Sequence, residues 1–303
     1  MHVIDQETAT ILEVESLLPH QSFDRRHFLT TTLGAGFALA VSNVSAETII
    51  TDSLGLRTGR IQLDVSQGNK KWQCEAYFAR PDDDQPKAIV LVISEIFGVH
   101  EHIADICRRF AKAGYLAIAA EHFTRYGDVK ATKDFSEILA IVAKEGDADV
   151  MSELDAALAW AGTHGGDANK VAVTGFCWGG RGAWLYAAHQ PKVKAGAAFY
   201  GRINKSFDPV LSPTNPIDIA DKLYAPVIGF YGEKDEGISL ETVKAMQAKL
   251  MASSNGPSRA SKIIVYPDTP HAFVADYRPS YRAEAAKDAW LHALAWFRDN
   301  GVS

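Results

Sequence analysis

The chain has 303 residues, of which 47% are hydrophobic, and a net charge of −6 with acidic and basic residues well mixed. That composition supports a sizeable core and excludes a largely disordered chain, and the length suits one large α/β domain or two small ones. With no basic stripe, nucleic acid is excluded as a partner.

In chain order, the first feature is Asp24 to Thr30, "DRRHFLT", where two arginines precede Phe28 and Leu29. Residues 28–46 then carry no charge and end in "VSA", small residues suited to a signal peptidase. This pattern predicts a twin-arginine-type signal peptide over residues 1–46, cut between Ala46 and Glu47. It implies the twin-arginine export machinery as a partner and a periplasmic destination. The segment is weakly apolar for its length, so no stable membrane anchor is expected. The folded domain would span residues 47–303.

From there strands alternate with helices. "RIQLDV" and "WQCEAYFA" alternate apolar and polar residues like an antiparallel pair. Residues 87–94, "KAIVLVIS", form a continuous apolar run, hence a strand covered on both faces. A helix is predicted over 101–113, a short buried strand over 115–120, and an amphipathic helix over 148–163. "KVAVT" (170–174) is a strand, and the segment after Gly180 a helix. "KAGAAFY" and "PVIGFYG" read as buried strands, 240–252 as a helix, 262–267 as the last strand and 280–299 as a closing helix. Repeated strand–helix units imply one domain with a mainly parallel central sheet flanked by helices on both faces. The irregular stretch 201–220 is expected to border a site.

Of the three cysteines, Cys74 and Cys107 read as ordinary buried thiols, a disulfide between them being the alternative. Cys177 differs. It sits in "GFCWGG" directly after a strand, in the Gly-x-nucleophile-x-Gly pattern of a nucleophile elbow. Glycine is needed on both sides because a side chain there would meet backbone. The helix that follows points its amino end at the sulfur, which favours the reactive thiolate. In chain order an acid and a histidine should follow, each beyond a strand end. Asp235 follows "PVIGFYG" and His271 follows "KIIVYP". His271 would manage the thiol proton and Asp235 would orient the ring. The backbone amides of Trp178 and Ile96 would form an oxyanion hole.

Four stretches, "SEIFGVHEHI", "GFCWGGR", "GEKDEGI" and "HAFVADYRPSY", resemble the dienelactone hydrolase family of the α/β-hydrolase fold, and the resemblance spans residues 57–299. It implies a Cys–Asp–His triad, matching Cys177, Asp235 and His271. It also implies a glutamate, matching Glu95, that holds the resting thiol and helps form the thiolate when substrate binds. A carboxyl and a thiol in a dry pocket would share one proton. A family arginine that binds a substrate carboxylate falls at Arg125, whose planar fork suits the task. A second family arginine follows the histidine closely; here that position reads "FVAD", and the first arginine downstream is Arg278. Arg181 reads as structural. "HEH" (100–102), with Cys107 and His122, lacks the spacing of a metal site, and no metal or cofactor is expected.

The expected activity is hydrolysis of a small, anionic ester or enol lactone through an acyl–thioester on Cys177. A thioesterase or general carboxylesterase on the same scaffold is the alternative, and a non-catalytic small-molecule binding protein is the alternative of another class.

Overall fold

The computed structural model describes residues 48–132 and 134–303; the export signal expected over residues 1–46 lies outside them. Eight strands form one sheet in the order β1-β2-β4-β3-β5-β6-β7-β8. β1 (Leu56–Gln67) and β2 (Lys70–Pro81) make the expected hairpin, and β2 pairs antiparallel with β4 (Leu116–Ala120). From β4 onward all pairings are parallel: β3 (Lys87–Ile93), β5 (Gly166–Phe176), β6 (Val193–Phe199), β7 (Val227–Gly232) and β8 (Lys262–Tyr266). Every residue of β4 and β7 is buried, as is all of β3 beyond Lys87. Their continuous apolar runs reflect cover on both faces.

Seven helices flank this sheet among the described residues: α1 (Glu101–Lys112), α2 (Phe135–Val142), α3 (Asp147–Thr163), α4 (Trp178–His189), α5 (Leu240–Ala252), α6 (Gly256–Ala260) and α7 (Ala283–Asp299). The apolar positions expected in α3, Val150, Leu154, Ala157, Leu158 and Ala161, are all buried. α7 closes the domain against α1, with the Phe110 ring 4.4 Å from Trp290 and 6.1 Å from Phe297. Burying such a ring contributes about 1.5–3 kcal/mol.

Among the elements that differ from the periodicity, three have a clear local cause. α2 was not expected; Asp134 starts it by accepting from the amides of Ser136 (2.8 Å) and Glu137 (3.2 Å). α4 begins at Trp178 rather than after Gly180, because the helix starts at the bend itself. α7 begins at Ala283 rather than residue 280, because turns occupy the residues before it, with Arg278 N donating to Ala275 O and Tyr281 N to Arg278 O. Cys74 and Cys107 are buried free thiols.

The stretch 201–220 lies beyond the end of β6 and ends in a single 3-10 turn, Pro216–Ile219. Arg181 fastens it. Its guanidinium grips Asp147 at 2.6 and 2.8 Å and donates to Thr214 O at 2.6 Å. One buried side chain thereby ties α4 to the start of α3 and to the loop. Replacing it leaves a carboxylate and a carbonyl without their donor, and breaking a buried pair of this kind costs about 3 kcal/mol. Urea unfolding of Arg181→Met should show a loss of that order; an unchanged midpoint would mean that the pair is not structural.

Candidate active site

β5 ends at Phe176, α4 starts at Trp178, and Cys177 between them has φ 54° and ψ −114°. A non-glycine residue in this region is strained and persists only where its surroundings hold it. The surroundings here are backbone. A methyl group added to Gly175 would overlap the carbonyl oxygen of Gly179, and one added to Gly179 would overlap that of Ile93. Glycine therefore lets the first turn of α4 press against β5 and β3. Cys177 N donates to Phe199 O at 3.0 Å, which pins the bend to β6 as well. The sulfur stands at the amino end of α4, where the helix field favours a thiolate.

The pairing Ile93↔Gly175 sets the end of β3 beside the bend, and with it Glu95 and Ile96 next to Cys177 and Trp178. Phe176↔Phe199 sets Tyr200 on the other side. Asp235 and His271 come from the loops after β7 and β8. The Asp235 carboxylate is fixed by the amides of Gly237 (3.0 Å) and Ile238 (3.2 Å), and its other oxygen meets His271 Nδ1 at 2.6 Å. Both side chains are fully buried. The Cys177 sulfur lies within interaction range of the ring without a well-aligned hydrogen bond to Nε2. The structure thus gathers Cys177, Asp235, His271, Glu95 and the Trp178 and Ile96 amides at one edge of the sheet.

Burial alone would push the His271 imidazolium down. The Asp235 carboxylate, and then the ionised Cys177 sulfur, outweigh it and hold the pKa well above its ordinary value. Glu95 is also buried. Its Oε2 accepts from the Tyr277 hydroxyl at 2.9 Å and lies 3.7 Å from Arg278 Nη2 and 3.8 Å from His100 Nε2. Burial opposes its ionisation, but Arg278 first and His100 next hold the carboxyl well below the usual range. The sequence implies a proton shared between Glu95 and a thiol in a dry pocket; in the fold the Arg278 cation beside Glu95 favours its ionised form.

Arg278 was noted in the sequence only as an arginine beyond the expected position. Consecutive turns after His271, Ala275 N to Ala272 O and Arg278 N to Ala275 O, fold "AFVADYR" back on itself. The guanidinium is buried, lying 4.9 Å from the Phe97 ring and 5.1 Å from that of Tyr277. Arg125, whose planar fork was expected to bind a substrate carboxylate, is set among carboxyl groups of the protein itself. Its Nη2 lies 3.0 Å from Asp149, 3.2 Å from Glu145 and 3.5 Å from Glu153, and the group stacks 4.1 Å over Trp72. Burial, and then the charge of Glu153, push the neighbouring Glu145 carboxyl up to about 9. Residues of this site that sequence reasoning missed are Tyr200, Tyr277 and His100. Tyr200 closes an ordinary apolar run, and only its positive φ of 38° marks it.

The raised His271 value has a consequence for stability. In the unfolded chain the ring titrates near 6.5. Stability from the charged ring is therefore complete below about pH 6.5 and is lost as the pH rises through the folded value. The difference in urea stability between the parent chain and Asp235→Asn should be largest near pH 6 and shrink at alkaline pH. A difference that grew with pH would contradict the buried pairing.

Comparison with known proteins follows the same residues. Residues 74–301 match the Dienelactone hydrolase family. A protein of Methylorubrum extorquens named "Putative carboxymethylenebutenolidase" is 46% identical over 299 residues, covering 98% of this chain and all of that protein. One of the same name from Escherichia coli K12 is 45% identical over 277 residues, covering 90% of this chain and 98% of its own. The crystal structure of a "Putative Dienelactone Hydrolase" from Klebsiella pneumoniae superposes with a TM-score of 0.73 at 46% identity, over 80% of this chain and 99% of that one. These matches run through nearly the whole described domain and not through the elbow alone. They establish that the chain belongs to the dienelactone hydrolase family and is a hydrolase of the α/β-hydrolase fold.

Proposed function

We propose that the chain hydrolyses a small anionic enol lactone or activated ester through a Cys177–His271–Asp235 triad. The observation that carries this reading is the buried 2.6 Å contact between His271 Nδ1 and Asp235, coupled to a cysteine strained at the tip of a strand–helix bend.

The sulfur, as thiolate, attacks the acyl carbon, and the carbonyl π electrons move to the oxygen between the Trp178 and Ile96 amides. The tetrahedral centre collapses, the bond to the leaving oxygen breaks, and the His271 imidazolium gives that oxygen its proton. The acyl group is then a thioester on Cys177. Water attacks it, His271 takes the water's proton, and the acid departs as the thiolate is restored. Asp235 stays ionised and keeps the ring oriented throughout. A thiolate expels enolates and phenolates more easily than amines, so lactones and activated esters suit this site better than peptides.

For the substrate carboxylate, Arg278 fits better than Arg125. Three carboxyl groups already surround Arg125. Arg278 is buried beside Glu95 at a loose 3.7 Å, so an arriving carboxylate can take that place. Glu95, once released, is a base close to the thiol. The name carried by the relatives denotes a lactone with a carboxymethylene group, which has the same two features. Residues 1–46 direct the protein through the twin-arginine route to the periplasm in this proposal, on the strength of the arginine pair and "VSA".

Three measurements test the proposal. Mass spectrometry of the chain mixed with an enol lactone or aryl ester should find the acyl adduct at residue 177, and Cys177→Ala should lose activity by several orders of magnitude; equal turnover by that variant would reject the mechanism. Arg278→Leu should lower kcat/KM about 10- to 100-fold for anionic esters and far less for neutral ones. Arg125→Leu should instead lower thermal stability without discriminating between the two. Replacing Arg25 and Arg26 by lysine should leave the protein in the cytoplasmic fraction of a bacterial host.

A further inference from the structure

Tyr200 is the last feature of this site without a task. It follows β6, and the register Phe176↔Phe199 makes it the cross-strand neighbour of Cys177. Its backbone has φ 38°, one of four positive values among the described non-glycine residues, another being Cys177 itself. Its amide donates to Phe230 O at 2.8 Å, so the strained turn is held by β7. The ring meets His271 edge-on at 4.9 Å between centroids and Phe273 at 5.5 Å. The side chain is fully buried, and the hydroxyl has no hydrogen-bond partner among the described residues. A buried polar group left unpaired costs stability, and phenylalanine would fill the same space without that cost. Strain and an unpaired hydroxyl together, beside Cys177 and His271, mark a group kept for an interaction with the reacting molecule.

The topology indicates which part of the substrate that is. The acyl oxygen turns toward β3, where the Trp178 and Ile96 amides lie. Tyr200 follows β6, which flanks β5 on the side away from β3, and its ring packs against His271, the group that serves the departing oxygen. We propose that the Tyr200 hydroxyl donates a hydrogen bond to the leaving oxygen as charge builds on it, and so is a further catalytic residue. Tyr200 transfers no proton in this step; His271 supplies the one that the leaving oxygen receives. Burial, then the charges of Glu95 and Cys177, hold the hydroxyl pKa well above its usual value, so it remains a neutral donor and not a base. The inference rests on the reading of Cys177 as nucleophile.

The test uses Tyr200→Phe and the parent chain with aryl esters of one acid and phenols of rising pKa. The stronger the charge on the leaving oxygen, the more a missing donor should matter. We expect a loss of about 100-fold with unsubstituted phenol as leaving group, shrinking steadily toward activated nitrophenols, with a melting temperature equal to or above the parent's. An equal loss across the series, no loss, or a lowered melting temperature overturns the proposal, because each is what a structural tyrosine would give. Acylation at residue 177 is followed by mass spectrometry in both chains. Its absence in the parent would remove the nucleophile reading and this inference with it. Acylation in both chains with the same leaving-group dependence would remove the role of Tyr200 alone.

Discussion

The site is organised by one close approach of backbone to backbone, where the first turn of α4 lies against the ends of β5 and β3. No side chain other than hydrogen fits at Gly175 or Gly179. Because the chain must bend within a single residue there, Cys177 adopts a conformation that cysteine does not favour. That bend puts the sulfur at the amino end of a helix and at the centre of a parallel sheet. The strands on either side then deliver everything else: Glu95 and the Ile96 amide from β3, Tyr200 from β6, Asp235 from β7 and His271 from β8. Parallel strands end at the same edge, so residues far apart in sequence converge without long loops.

Charge is the second organising factor, and it is arranged as buried pairs. His271 is matched by Asp235, and Glu95 by Arg278. In water such pairs would contribute little, whereas here each group would be costly to bury without its partner. The pairs differ in tightness. His271 and Asp235 are in direct contact at 2.6 Å, while Glu95 and Arg278 are 3.7 Å apart. A tight pair holds a ring in one orientation; a loose pair can be exchanged for a charged ligand. Arg125 belongs to neither. It balances Asp149, Glu145 and Glu153 beneath Trp72 and serves the packing of α3 on the sheet edge.

Much of this was legible in the sequence because it depends on local pattern. Unbroken apolar runs mark strands covered on both faces, and the Gly-x-Cys-x-Gly spacing marks the bend. Asp235 and His271 stand out because each follows a strand by a few residues. Arg278 was hidden because its place depends on consecutive turns that bring it back toward Glu95. Tyr200 was hidden because an aromatic residue ending an apolar strand reads as core, and its burial is indeed complete. α2 was hidden because its helical face is short and its start rests on one aspartate.

The sequence by itself determined the strand–helix alternation, the parallel sheet, the bend at Cys177 and the placement of Asp235 and His271 just beyond strand ends. All of these follow from periodicity, glycine placement and chain order, which act over a few residues at a time. Only the tertiary structure decided which arginine stands by Glu95, and that beside Cys177 a strained tyrosine carries a hydroxyl with no hydrogen-bond partner among the described residues. Those outcomes depend on how separate loops pack at one sheet edge. Electrostatic pairing there is governed by distances of a few ångströms, and no spacing along the chain encodes them.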